Sequence, residues 1–172
     1  MSSEFDTNDF PLAYLITFHT YGTWLHGDDR GSMNRKHNIR GMPRIAPNAK
    51  LRQAELVQLK HSPVILSAAQ RRTIESAAQE VCHNRRYALL AINVRTNHVH
   101  AVVSAVCRPE RIMDAMKAYA TRKLRQNGLI SLETKPWVRH GSTRYLWKEQ
   151  HVEKAIDYVL HGQGDDPPNF ED

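Results

Sequence analysis

The chain has 172 residues, 41% hydrophobic and 24% charged, with 24 Lys/Arg against 18 Asp/Glu and a formal net charge of +6. That length suits one domain, 1–172, with a core of its own, and the composition excludes a disordered or low-complexity chain. No apolar run reaches the roughly 18–20 residues that span a bilayer, the polar, acidic first ten residues are unlike a secretory signal, and Cys82 and Cys107 form no CxxC pair, so a cytoplasmic protein without membrane partner, thiolate zinc site or disulfide scaffold is expected.

Residues 12–25, LAYLITFHTYGTWL, are aromatic and β-branched and predict a first strand that turns near Gly22. The stretch at about 26–50 carries three glycines and two prolines with almost no apolar periodicity. Overlapping it, residues 30–52 hold seven Lys/Arg and no Asp/Glu, which makes this loop a candidate nucleic-acid contact. A short helix is expected at 51–59. Ser67 and Gln70 stand in capping-box spacing ahead of Ile74, Ala77, Ala78, Val81 and Cys82, the apolar repeat of an amphipathic helix.

Residues 87–94, YALLAINV, predict a buried strand, Thr96 and Asn97 a tight turn, and 98–105, HVHAVVSA, its antiparallel partner. Pro109 opens a helix over 110–126 that Gly128 closes, with Tyr119 inside its apolar stripe beside Ile112 and Met116. Short strands are expected near Trp137 and Tyr145, then a last helix, EQHVEKAIDYVLHG, and an acidic tail at about 164–172. The order of strands and helices predicts an α+β, ferredoxin-like antiparallel sheet with helices packed mainly on one face.

Residues 108–148 hold ten Lys/Arg against three acids. Among them Arg122, Lys123, Arg125, Arg139 and Arg144 are candidate phosphate contacts, and Trp137 and Trp147 candidate stacking surfaces, so that a polyanionic partner is expected.

On a strand His98 and His100 share one face, a ready pair of metal ligands. On the last helix Val152, Ala155, Ile156, Val159 and Leu160 form the stripe expected to meet the core, while His151, Lys154, Tyr158 and His161 fall on a separate arc about 80° wide. Tyr158 is therefore not placed as a core tyrosine. A phenol with a pKa near 10 is about one part in a thousand ionised at neutral pH, and it attacks phosphorus only with help from a cation such as Lys154 or a metal.

These residues resemble the HUH single-tyrosine transposases, which include the small insertion-sequence transposases and the REP-associated tyrosine transposases. The resemblance lies in His98, Val99 and His100 on a central strand and in Tyr158 on a helix 58 residues later, with MDAMKAYATRKL and GSTRYLW between them. It implies a metal-dependent enzyme that nicks and rejoins single-stranded or hairpin DNA through a 5′-phosphotyrosine at Tyr158. It further implies Mg²⁺ or Mn²⁺ at His98 and His100 with one more polar ligand, and a homodimer. In the family that third ligand is commonly Gln or Asn four residues after the tyrosine, where this chain has Gly162. Gln163 is the candidate by resemblance and His161 by its place on the helix. The same departure leaves open a second expectation, a catalytically inactive protein that binds single-stranded or hairpin DNA. A two-histidine phosphoesterase needs two H-x-[ST] motifs, and only His140, Gly141 and Ser142 match one.

Overall fold

The computed structural model describes residues 10–23, 48–162 and 168–170; the basic loop, but for its last three residues, and Gln163 lie outside the described residues. Four strands, β1 (Ala13–Thr20), β2 (Ala88–Val94), β3 (His98–Ser104) and β4 (Trp137–Leu146), alternate with helices α1 (Ala49–Gln58), α2 (Ala68–Arg85), α3 (Pro109–Gln126) and α4 (Glu149–His161). The strands form one antiparallel sheet in the order β2-β3-β1-β4, which is the ferredoxin-like α+β arrangement.

Alternation divides the sheet into two cores. Tyr14, Ile16 and Phe18 of β1 and Val99, Ala101 and Val103 of β3 meet α2 and α3 on one side. Ala13, Leu15 and Val102 face the other way and meet Ala155 and Val159 of α4. Two of the long helices therefore cover one face, and α4 alone covers part of the second. The capping box forms as its spacing predicts: the Ser67 hydroxyl accepts from the Gln70 N–H and the Gln70 side chain accepts from the Ser67 N–H.

Several elements differ from the sequence reading. β2 is an edge strand whose only buried residue is Ala91, with a register shift between Leu89 and Ala91. The two short strands expected near Trp137 and Tyr145 are one ten-residue strand, β4. Its continuity depends on Gly141, where a Cβ would stand 2.4 Å from the Thr17 carbonyl oxygen and 2.5 Å from Met113 Sδ. Beside it, residues 138–140 fall where the β1–β4 register shifts, and the ammonium of buried Lys117 donates to the carbonyls of Val138, Arg139 and His140.

α4 is also turned from the orientation its apolar stripe suggests: Leu160 is exposed, whereas His151 is buried. His151 packs beside Phe170 of the second core, with ring centroids 5.8 Å apart.

Candidate active site on the open sheet face

His98 and His100 leave β3 on the α4 side, with ring centroids 4.5 Å apart. Each ring is held at one nitrogen. His100 Nδ1 shares a hydrogen bond of 2.7 Å with Thr17 Oγ1, its cross-strand neighbour on β1, and His98 Nδ1 lies 2.6 Å from Asn97 Oδ1. A carboxamide oxygen only accepts, so the proton of this bond sits on His98 Nδ1, which in the neutral ring leaves the lone pair on Nε2 that a metal requires. Burial pushes the His100 imidazole down to about 3, with the charges of His98 and Arg95 adding to the effect. At neutral pH His100 is thus an uncharged donor.

α4 brings Tyr158 to this pair. Its ring lies 5.3 Å from that of His100, edge to face, and it is half-buried against the second core. Three features of the chain set that position. Asn93, opposite His100 on β2, donates from Nδ2 to the Val159 carbonyl at 2.9 Å, and Arg95 Nη2 donates to the Gly162 carbonyl at 2.9 Å. Gly162 closes the helix against the ring: a Cβ there would stand 2.7 Å from Tyr158 Cδ2. The glycine that departs from the expected ligand is what lets the chain pass this close to the tyrosine.

The other site candidates disperse. Lys154 is exposed, one turn before Tyr158. His161 is 73% exposed and its Nδ1 lies 3.0 Å from Asp157 Oδ1, on the solvent side of α4. Among the described residues no three His, Cys, Asp or Glu side chains stand ready to hold a metal. The donor set that is present, two imidazoles each oriented by a second group, nevertheless suits a divalent cation.

The candidate DNA contacts divide between the two faces. Arg144 pairs with Leu15 and so shares the histidine face, its guanidinium 5.9 Å from the Phe170 ring. Across the sheet, Arg122, Arg125, Lys117 and Trp137 line a shallow groove of about 650 Å³ along α3. There Arg122 lies 4.4 Å over the Tyr119 ring, Arg125 donates to the Thr134 carbonyl, and the Trp137 indole N–H donates to Thr121 Oγ1 and the Lys117 carbonyl. Lys123 is ion-paired with Glu80. Arg139 is exposed on β4, and Trp147 is exposed and stacked on Tyr145.

Sequence reasoning missed Thr17, His19, Asn93, Arg95 and Asn97, all of which border the pair. Strand alternation puts Thr17 and His19 on one face of β1, but only the cross-strand register sets them against His100 and His98.

No curated protein matches the chain. Solved structures do, among them a REP-associated tyrosine transposase bound to a REP hairpin, at 12% identity and a TM-score of 0.47 over 86% of this chain. This chain spans 63% of that chain's length. The model of a family described as IS200-like transposases matches residues 56–157, a span that includes His98 and His100 and ends one residue before Tyr158. Over more than half of its length the chain carries that family's pattern, and it belongs to the IS200-like, single-tyrosine HUH transposases.

Proposed function

We propose that this protein nicks and rejoins single-stranded DNA, the strand flanking a hairpin being its substrate, through a covalent bond to Tyr158. The observation that carries this reading is the Tyr158 ring 5.3 Å from His100 on a sheet face where a second imidazole stands 4.5 Å away. A divalent cation, Mg²⁺ or Mn²⁺, would be held by His98 and His100 and would supply positive charge to the substrate phosphate.

The chain's own groups do the rest. Thr17 and Asn97 orient the two imidazoles through their Nδ1 atoms. Asn93, Arg95 and Gly162 hold Tyr158 over them. The phenolic oxygen attacks phosphorus, the bond from phosphorus to the 3′ oxygen breaks, and a 5′-phosphotyrosine and a free 3′ hydroxyl result. The phenolic proton passes to solvent, with the Lys154 ammonium favouring the phenolate. Because one phosphodiester replaces another, the 3′ hydroxyl can reverse the step without an external energy source. Arg144 on the same face and Arg122, Arg125 and Arg139 elsewhere bind phosphates, and Trp147 offers a ring for a base.

Gly162 favours one alternative, a DNA-binding protein without chemistry, because it leaves the expected ligand position of α4 without a side chain. Incubation of labelled single-stranded DNA with Mg²⁺ or Mn²⁺ separates the two. The nuclease gives a covalent adduct that disappears in EDTA, in Tyr158→Phe and in His100→Ala. The binding protein gives salt-sensitive complexes that persist in EDTA and no adduct.

A homodimer belongs to the same proposal and is tested by light scattering of the eluted protein. No helix among the described residues is long and apolar enough to cross a membrane, and we place the protein with its DNA in the cytoplasm.

A further inference from the structure

Tyr158 stands in the last turn of α4, and the C-terminal end of a helix bears about half a negative elementary charge. A phosphodiester that comes to this tyrosine meets that charge with its own. A cation beside the helix end offsets the repulsion, and the chain places one there.

Arg95 directly follows β2, and its backbone N–H donates to the His98 carbonyl at 2.8 Å, closing the turn into β3. Asn93 stands opposite His100 on the ladder, so alternation sends the side chains of Asn93 and Arg95 to the histidine face. Arg95 Nη2 reaches the Gly162 carbonyl at 2.9 Å, and Gly162 is the residue whose α-carbon stands against the Tyr158 ring. The charge of Arg95 is also felt at His100, where it helps to keep the imidazole neutral. The guanidinium thus lies between the histidine strand and the end of the tyrosine helix. It has five N–H donors in a rigid plane, of which the Gly162 carbonyl engages one. Arg95 is half-buried, and among the described residues no carboxylate pairs with it. A guanidinium held without a counter-anion offers a site for one, and its planar fork matches two nonbridging oxygens of a phosphate. The other cations of this face are set differently: Lys154 is exposed one turn earlier on α4, and the Arg144 guanidinium lies 5.9 Å from the Phe170 ring.

We propose that Arg95 is a catalytic residue of this site: while one N–H holds the Gly162 carbonyl, its other N–H groups bind the nonbridging oxygens of the phosphate that Tyr158 attacks. The proposal rests on the reading of Tyr158 as the nucleophile. Arg95 stays protonated throughout and adds no proton transfer to the step. It fixes the phosphorus beside the phenol and offsets the negative charge gathered at the helix end.

The parent protein first marks the scissile phosphate, through its adduct with labelled single-stranded DNA from the flanks of its own gene. The same DNA is then made with a methylphosphonate at that one position, which keeps both ester bonds and removes the negative charge. At saturating DNA, Arg95→Gln lowers the adduct rate about 100-fold on the phosphodiester, and Arg95→Lys, which keeps the charge but loses the fork, about tenfold. On the methylphosphonate the loss in Arg95→Gln shrinks to that of Asn93→Ala, which acts only through the helix and loses the same factor on both DNAs. In Tyr158→Phe, which binds the DNA without cleaving it, the Arg95 Nε–H resonance shifts with the phosphodiester and not with the methylphosphonate. Equal losses on both DNAs in Arg95→Gln, or an Arg95 resonance indifferent to that charge, overturns the contact and leaves Arg95 a clamp of α4 in a working nuclease. A parent protein that forms no adduct overturns the nuclease reading itself, and the role of Arg95 with it.

Discussion

The ring of Tyr158 and the α-carbon of Gly162 share a space with no room for one more carbon. A Cβ at 162 would sit 2.4 Å from the Tyr158 carbonyl oxygen and 2.7 Å from its ring, so the ring or the helix end must move. Displacing a nucleophile by about 1 Å costs on the order of 100-fold in rate. Gly162→Ala is therefore expected to lower the rate of adduct formation about 10- to 100-fold, for a loss of about 1–3 kcal/mol of stability in urea titrations, the usual range for overpacking. At His100 the sign of the pH effect is equally definite. Its pKa is about 3 in the folded protein and about 6.5 when unfolded, so between those values the unfolded state binds the extra proton and stability rises with pH. Stability is lost as pH falls below about 6.5. Going down to pH 5 should cost about 2 kcal/mol from this residue alone. Urea titrations in EDTA at pH 7.5 and 5 check this, because His100→Gln should lose that much less between the two conditions while sharing every carboxylate effect.

α4 shows what a helix owes to its neighbours. Its last four carbonyls have no partner within the helix. The Asn93 amide satisfies one of them, that of Val159, and the Arg95 guanidinium binds the next residue beyond the helix, Gly162. Asn93 lies on β2 and Arg95 directly follows it, so the strand paired with the histidine strand and its turn also grip the end of the helix that carries the tyrosine. Asn93→Ala should cost only about 1 kcal/mol overall, the usual worth of one such bond. Hydrogen exchange should then rise at the amides of residues 158–161 while those of β1 and β3 stay protected, and the adduct rate should fall with it. Much of this element was legible beforehand. Its extent and the shared face of His98 and His100 follow from periods of 3.6 and 2, whereas Tyr158, expected clear of the core, is half-buried against it. Its rotation was not. Leu160 reads as a core residue and His151 as a surface one because hydrophobicity ranks them so, whereas in the structure Leu160 is exposed and His151 packs beside Phe170, a residue the sequence leaves in an acidic tail. His19 and Thr17 were hidden for a related reason: a strand's pattern tells which face a side chain takes, and only pairing tells what stands opposite.

For the whole molecule, the sheet is a partition. The count of basic residues at 108–148 was readable from the sequence, but their division was not, since it depends on which side of the β2-β3-β1-β4 sheet each one leaves. Two of those charges are already committed inside the protein: Lys117 lies buried among three β4 carbonyls, where desolvation holds its pKa below the usual lysine range, and Lys123 faces Glu80. Arg122 on the α3 groove and exposed Arg139 on β4 remain open to a polyanion, and β4 is the edge around which a strand must pass to reach from that groove to Tyr158. Each phosphate neutralised on single-stranded DNA contributes about 0.7 to the slope of log affinity against log salt. Arg122→Gln with Arg139→Gln should therefore lower that slope by about 1.4, whereas Lys123→Gln, whose charge Glu80 already balances, should change it far less. With DNA at saturation the doubly substituted protein should still form adduct at the parent rate, because neither arginine touches the face of His98, His100 and Tyr158. A drop in that rate at saturation would mean that the groove and the histidine face act as one site, with the grip on one side of the sheet setting the geometry of attack on the other.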